Sequence, residues 1–284
     1  NDRFYGPTTY YVRNVPASEN QGLPAIIFGK TARETYRNTN VLSYNFRDIV
    51  PDDHNLNFMV GQEYILRQQE GHTSTVHGLA QGFNFNDAVA LSQQGFANAI
   101  DNYLFPNDIL LSFFSRVNYD YKSKYIFQST IRSDGSSKFS QGNRWGFFPS
   151  ASFAWRISDE SFMEFSRAWF NDIKLRVSYG TAGNNNIPTG QIIQMLEARN
   201  TTWVNGFNSY WAATKVMANP DLTWETTVTR NVGLDLTALR GRITGSLEGY
   251  INSTKDLLVL FPIPGTGYDN QYRNMGETQN RGVE

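Results

Sequence analysis

The sequence predicts an all-β protein, and specifically an antiparallel β-barrel that spans a membrane. Three observations predict it. Apolar and polar residues alternate with a period of two along one stretch after another. The links between these stretches are short at one end and long and polar at the other. Bulky aromatics gather at the strand ends, where an amphipathic ring sits well between apolar and wet surroundings.

The elements follow in order. Residues 1–33 are rich in Gly, Pro, Asn and Thr and read mostly as loop, with one apolar stretch at 23–28. Strands are expected over 35–46 and 55–67, joined by the turn-rich RDIVPDDHN. Residues 68–108 are long and polar, and a short helix is expected within FNDAVALSQQGFANAI. Over 111–121 the odd positions are Leu111, Phe113, Ser115, Val117, Tyr119 and Tyr121. The even ones include Ser112, Arg116, Asn118 and Asp120, with Phe114 as the exception. After a turn at 122–124, Tyr125, Phe127 and Ile131 alternate with Gln128, Thr130 and Arg132. Trp145, Phe147, Ala151, Phe153 and Trp155 mark the next strand, and Ile173, Leu175, Val177 and Tyr179 the one after. Val228, Val232, Leu234 and Leu236, then Ile243, Leu247 and Ile251, give two more, and NRGVE begins another. That makes about nine strands.

Alternation alone fits a soluble β-sandwich as well as a barrel, because it does not say whether the apolar face meets a core or lipid. The links decide. Those at 122–124 and 239–241 are very short, and those at 133–144, 184–222 and 254–276 are long and fall at the opposite end. Residues 158–172, at the short-link end, are expected to hold a short helix. This asymmetry is that of outer-membrane barrels, with short periplasmic turns and long extracellular loops. Residues 145–155 extend roughly 33 Å, which a tilt of about 45° reduces to roughly 23 Å, near the ~25 Å apolar band of such barrels. Nine strands would leave bare edges in lipid, where unpaired backbone groups cost several kcal/mol each. The sequence is therefore expected to be a piece of a longer chain.

Composition narrows the function. A net charge of −1 gives no reason to expect a nucleic-acid partner. No run of 18 apolar residues can form a transmembrane helix, and with no cysteine there is neither a disulfide framework nor a thiolate metal site. GTAGNNN and SDGSS are Gly-rich but lack the following helix and Lys-Ser/Thr pair of a phosphate loop, so they read as turns at strand ends. His54, His72 and His77 have no metal-ligand spacing and are expected in polar loops or turns. Carboxylates such as Asp52, Asp53, Glu160 and Asp172 cluster at turns, and no serine lies in a nucleophile elbow. No catalytic residue, metal or cofactor is expected.

Several words then become recognisable. SSKFSQGNRWGFFPSASFAWRISDESFM, IKLRVSYGTAGNNNIP, NPDLTWETTVTRNVGLDL, GRITGSLEGYINSTKDLLV and GETQNRGVE, collinear over about residues 110–284, resemble the SusC/RagA group of TonB-dependent outer-membrane transporters of Bacteroidota. The resemblance implies that residues 1–284 are part of a 22-stranded barrel, with the plug and an N-terminal extension outside them. It implies import of glycans, oligosaccharides or peptides rather than enzyme activity. A SusD-like surface lipoprotein would act as a lid, and TonB with its inner-membrane partners would act through segments not seen here. Two other readings stay open: a soluble β-sandwich carbohydrate-binding module, and a structural or secretion-associated outer-membrane barrel.

Candidate site residues follow. Trp203, Phe207, Tyr210 and Trp211, in the longest link, are candidates for contact with substrate or lid, or for packing the loop on itself. Arg116, Asn118, Asp120, Arg132, Arg156, Lys174, Arg176, Asp235 and Glu248 are expected to face the lumen. Tyr119, Tyr121, Tyr125, Trp145, Phe147 and Trp155 are expected at the lipid interface, in contact with outer-membrane lipid.

Overall fold

The computed structural model describes residues 2–6, 24–46, 51, 53–166, 168–204 and 207–284, with backbone alone for 2–6, 97–101, 103–104, 198–204 and 207–211. The strands are β1 (Asp2–Gly6), β2 (Ala25–Asn45), β3 (His54–His77), β4 (Phe96–Leu104), β5 (Asp108–Tyr121), β6 (Tyr125–Ser136), β7 (Trp145–Arg156) and β8 (Phe170–Asn184). They continue with β9 (Leu196–Val204), β10 (Phe207–Ala213), β11 (Val216–Met217), β12 (Glu225–Ala238), β13 (Ile243–Lys255), β14 (Leu258–Pro262), β15 (Asn270–Asn274) and β16 (Glu277–Val283). Among the described residues the main sheet runs β1-β2-β3-β5-β6-β7-β8-β12-β13-β16, with β4 paired to β3 off this path. The nine strands expected from sequence are β2, β3, β5 to β8, β12, β13 and β16.

Sequence neighbours pair, as an up-and-down antiparallel meander requires. The registers run without interruption over long spans, from Leu110↔Ser136 to Tyr121↔Tyr125 between β5 and β6, and from Thr226↔Lys255 to Ala238↔Ile243 between β12 and β13. Two tight turns make this possible. Lys122 and Ser123 both have positive φ, 54° and 52°, as do Leu239, Arg240 and Gly241 in the second turn. Such values match the right-handed twist of the flanking strands but are costly for residues with a Cβ. Each turn is held by a side-chain acceptor, the first from its own strand and the second from the neighbouring β8. Asp120 Oδ1 accepts from the Ser123 amide at 2.8 Å, and Asn171 Oδ1 accepts from the Arg240 and Gly241 amides at 2.7 and 3.2 Å.

The chain divides into two compact units, residues 1–36, 66–107 and 195–214, and residues 37–65, 108–194 and 215–284. In the first, Ile26, Leu79 and Ala88 form a small core with Phe28, Val76, Phe83 and Val89 around it. Helix α1 (Phe85–Ala90) supplies Ala88; Asn84 caps it, and Asp87 returns a contact to the cap amide. The helix expected within 85–100 thus ends at Ala90, and β4 takes over at Phe96. In the second unit, Phe139, Phe148, Ile187, Leu222 and Trp224 form the buried cluster, at the long-link end of the sheet.

Several expectations are corrected. Residues 25–33 belong to β2 rather than to a loop, and β3 continues to His77. All three histidines therefore lie in β3 rather than in loops or turns. The link 184–222 holds the hairpin β9–β10, paired Phe207↔Val204 to Ala213↔Leu196, and the link 254–276 holds β14 and β15. The segment expected to hold a short helix forms two short 3-10 helices, Ile157–Asp159 and Ser161–Ser166.

Candidate functional site

The two faces of the sheet have opposite chemistry. On one, the alternating apolar residues stand open: Phe113 is 50%, Phe147 61%, Val232 54% and Leu247 58% exposed. A sandwich core would bury them. They form rows across the strands, such as Phe127↔Phe153↔Val177↔Val232.

Aromatics close both ends of this face. At the short-turn end Tyr121, Tyr125 and Trp155 stack in a ladder, with centroids 6.2 and 6.4 Å apart and planes within 14°. The polar tips of Tyr125 and Trp155 turn to Glu160, which accepts from Tyr125 Oη at 2.5 Å, Trp155 Nε1 at 3.0 Å and Lys124 Nζ at 3.1 Å. These donors, Tyr125 foremost, hold the Glu160 carboxyl below the usual carboxylate range. Tyr119 meets His54 Nδ1 at 2.8 Å. At the other end Trp145 stacks on Phe113 at 6.1 Å, with Phe147 beside it in sequence and exposed. Sequence reasoning passed over Phe162, Phe165 and Trp169, which stand 58%, 83% and 67% exposed on the link at the short-turn end. The run SFMEFSRAWF was the available signal: its aromatics have no apolar stripe to join.

The opposite face carries ion networks. Arg176 donates to Asp235 through Nε and Nη2, both at 2.9 Å, and its Nη2 lies 3.5 Å from Glu248. Lys174 Nζ reaches the same Asp235 at 3.1 Å. Gly233 sits opposite both Arg176 and Glu248 in register, and a Cβ there would stand 3.0 Å from Arg176 Nη2. The missing side chain is what lets the guanidinium cross the strand.

A second network centres on Arg132. It donates to both Asp134 oxygens at 2.7 and 2.8 Å and to Ser112 Oγ at 2.8 Å, and it lies 3.5 Å from Glu63. Glu63 also accepts from Arg37 at 2.7 Å and Thr39 at 3.2 Å. Here Phe114, the break in the alternation, finds its reason: its ring lies against Gly61, and the Arg132 guanidinium rests 5.6 Å from the ring centre.

The remaining polar residues are placed as follows. Arg116 donates to Thr130 at 3.1 Å, Asn118 pairs in register with Gln128, and Asp120 serves its turn. Arg156 meets Asp159 and Asp172 at 3.6 and 3.3 Å. The nine residues thus resolve into two networks, one turn cap and smaller contacts. No cluster of three or more metal-ligating side chains occurs among the described residues. The side chains of Trp203, Phe207, Tyr210 and Trp211 lie outside the described residues; their backbone belongs to β9 and β10.

Glycine-rich GTAGNNN is also corrected. Gly180 and Gly183 are strand residues of β8 without positive φ. Gly183 lies against the Phe148 ring, so close that a Cβ would collide with it. Phe148 in turn packs on Trp224 with centroids 5.4 Å apart, and Trp224 Nε1 donates to the Arg144 carbonyl at 3.0 Å.

An antiparallel meander with an exposed apolar face, aromatic belts and a charged opposite face defines a segment of an outer-membrane β-barrel. The family described as TonB dependent receptor-like, beta-barrel, matches residues 2–284, and the chain belongs to it. It is 39% identical over 180 residues to the TonB-dependent receptor SusC of Bacteroides thetaiotaomicron, covering 62% of this chain and 18% of that protein. It is 34% identical over 253 residues to a TonB-dependent receptor of Formosa agariphila, covering 88% of this chain and 25% of that protein. Among solved structures, the RagAB peptide importer in its closed-closed state superposes over 92% of this chain and 28% of its own, with a TM-score of 0.77 at 26% identity. The chain therefore spans about a quarter or less of the curated relatives it matches. It is a SusC/RagA-type receptor barrel segment of the outer membrane. The sandwich reading is set aside, and the named relatives are receptors and an importer, not enzymes.

Proposed function

We propose that the chain is a wall segment of a TonB-dependent importer that takes up oligosaccharides or peptides together with a SusD-like surface lipoprotein. The observation that carries this reading is the polar face of β5 to β8, β12 and β13. Its paired charges of both signs suit a wet lumen around a plug. The likeness to the RagAB peptide importer over 92% of the chain supports it. The hairpin β9–β10, with Trp203, Phe207, Tyr210 and Trp211, lies in a loop on the extracellular side and is the proposed contact for lid or cargo. Coupling to TonB belongs to the rest of the protein.

The test uses the complete receptor in its native outer membrane. Affinity-tagged receptor is purified in mild detergent, and uptake of labelled oligosaccharides and peptides is measured with and without the receptor. Co-purification of a surface lipoprotein and receptor-dependent uptake of one cargo class are expected. Normal uptake of both classes without the receptor, and no lipoprotein partner, would overturn the proposal.

A further inference from the structure

The apolar face has one row that breaks its pattern. Tyr179 on β8, Arg230 on β12, Ile251 on β13 and Arg281 on β16 are direct cross-strand partners and share that face. Both arginines are exposed; among the described residues Arg230 has no carboxylate partner, and Arg281 stands on β16, the edge strand of this segment. Arg230 is 5.9 Å from the centre of the Tyr179 ring, which steadies it. Two strand spacings separate the arginine backbones, roughly 10 Å, with Ile251 between them.

On β8, β12, β13 and β16 the row is where the apolar run gives way to polar residues. Below it stand Val177, Val232 and Val283; above it stand Thr181, Ser253 and Gln279, with Val228 the one apolar member. Arg230 is about eight residues from the periplasmic end of β12, roughly 19 Å of depth at a tilt of about 45°. In an apolar band of about 25 Å that places it in the outer-leaflet half, close enough to the headgroups for a long arginine side chain to reach them.

Beneath the row the surface is dented. Gly249 and Gly245 lie on the same face of β13, and side chains there would meet open space. Around Gly249 a shallow groove of about 520 Å³ is lined by Val177, Tyr179, Arg230, Val232 and Ile251.

We propose that Arg230 and Arg281 clamp the phosphate of an outer-leaflet lipid, whose acyl chain lies in the groove over Gly249. The occupant follows from position and charge. This face of the barrel meets lipid, a guanidinium pair selects a phosphate by bidentate hydrogen bonds, and a groove floored by glycine accepts a hydrocarbon chain.

The test counts lipid on the complete receptor. Native mass spectrometry of receptor extracted in mild detergent reads the phosphorylated lipids retained. The Arg230→Gln/Arg281→Gln double variant is expected to lose about tenfold in occupancy, a 1.4 kcal/mol change. Gly249→Phe, which fills the groove, is expected to lose lipid with both arginines intact. Arg242→Gln, at the periplasmic turn, is expected to match the wild type. A second measurement needs no variant: the thermal midpoint of wild-type receptor with added phosphorylated lipid, with the same lipid after phosphate removal, and with inorganic phosphate. Only the first is expected to raise it. Equal shifts with the dephosphorylated lipid, a shift with inorganic phosphate alone, or full lipid retention by the double variant would each overturn the proposal.

Discussion

Arg176 reaches across the bare backbone of Gly233 to grip Asp235 with two hydrogen bonds of 2.9 Å. Both side chains are partly exposed, so water and salt screen the pair. Asp235→Asn in the complete receptor is expected to lower its unfolding free energy by only about 1 kcal/mol. Gly233→Val should cost more, because it moves Arg176 off Asp235 and Glu248 together. Urea unfolding in lipid vesicles reads both. A Gly233→Val receptor as stable as the wild type would mean that the network is ornamental.

Phe148 depends on a second glycine. Gly183→Ala is expected to push the ring off Trp224, costing about 1–3 kcal/mol as overpacking does. Phe148→Ala should cost about 3–5 kcal/mol through the cavity it leaves. The two changes share one space, so the double variant should cost less than their sum. Strict additivity in the same unfolding assay would show that Gly183 matters for another reason.

These two glycines mark where sequence reading stops. Strand existence was legible because lipid imposes a period of two on β5 to β8, β12 and β13. Strand length was not. Residues 25–33 and 68–77 extend β2 and β3 in stretches with no alternating apolar face, and backbone pairing there needs none. The β9–β10 hairpin escaped for the same reason. On the polar face the residues could be named from alternation, but their partners could not. That Arg176 meets Asp235 follows from the register between β8 and β12, and that Phe114 faces inward follows from Gly61 on another strand. Gly183 reads as a turn residue until the ring beside it is seen.

Glu160 carries a pH prediction. Its carboxyl is held below the usual range by Tyr125 first, then Trp155 and Lys124. A carboxyl more acidic when folded stabilises fully above its unfolded pKa of about 4.3, and that contribution is lost as the pH falls through the lower folded value. Wild-type receptor should therefore lose stability in part through this group as the pH falls below about 4.3. Glu160→Gln should be less stable at neutral pH and show a flatter slope over that window. Parallel slopes for the two proteins would remove Glu160 from the acid response.

The turn between β5 and β6 holds strained backbone. Ser123 holds a φ of 52°, a left-handed conformation that costs a residue with a Cβ about 1–2 kcal/mol. Its side chain is exposed, so glycine can replace it without loss of packing. Ser123→Gly relieves the strain but also frees the unfolded chain, and the two effects oppose each other. The net gain is expected to be below about 1 kcal/mol. Asp120→Ala works the other way: it removes the acceptor that holds the Ser123 amide at 2.8 Å and should cost about 1 kcal/mol. In Ser123→Gly background that cost should shrink, because the glycine turn forms without help. Unfolding free energies of the four receptors give the coupling directly, and a coupling of zero would show that Asp120 does not serve the turn.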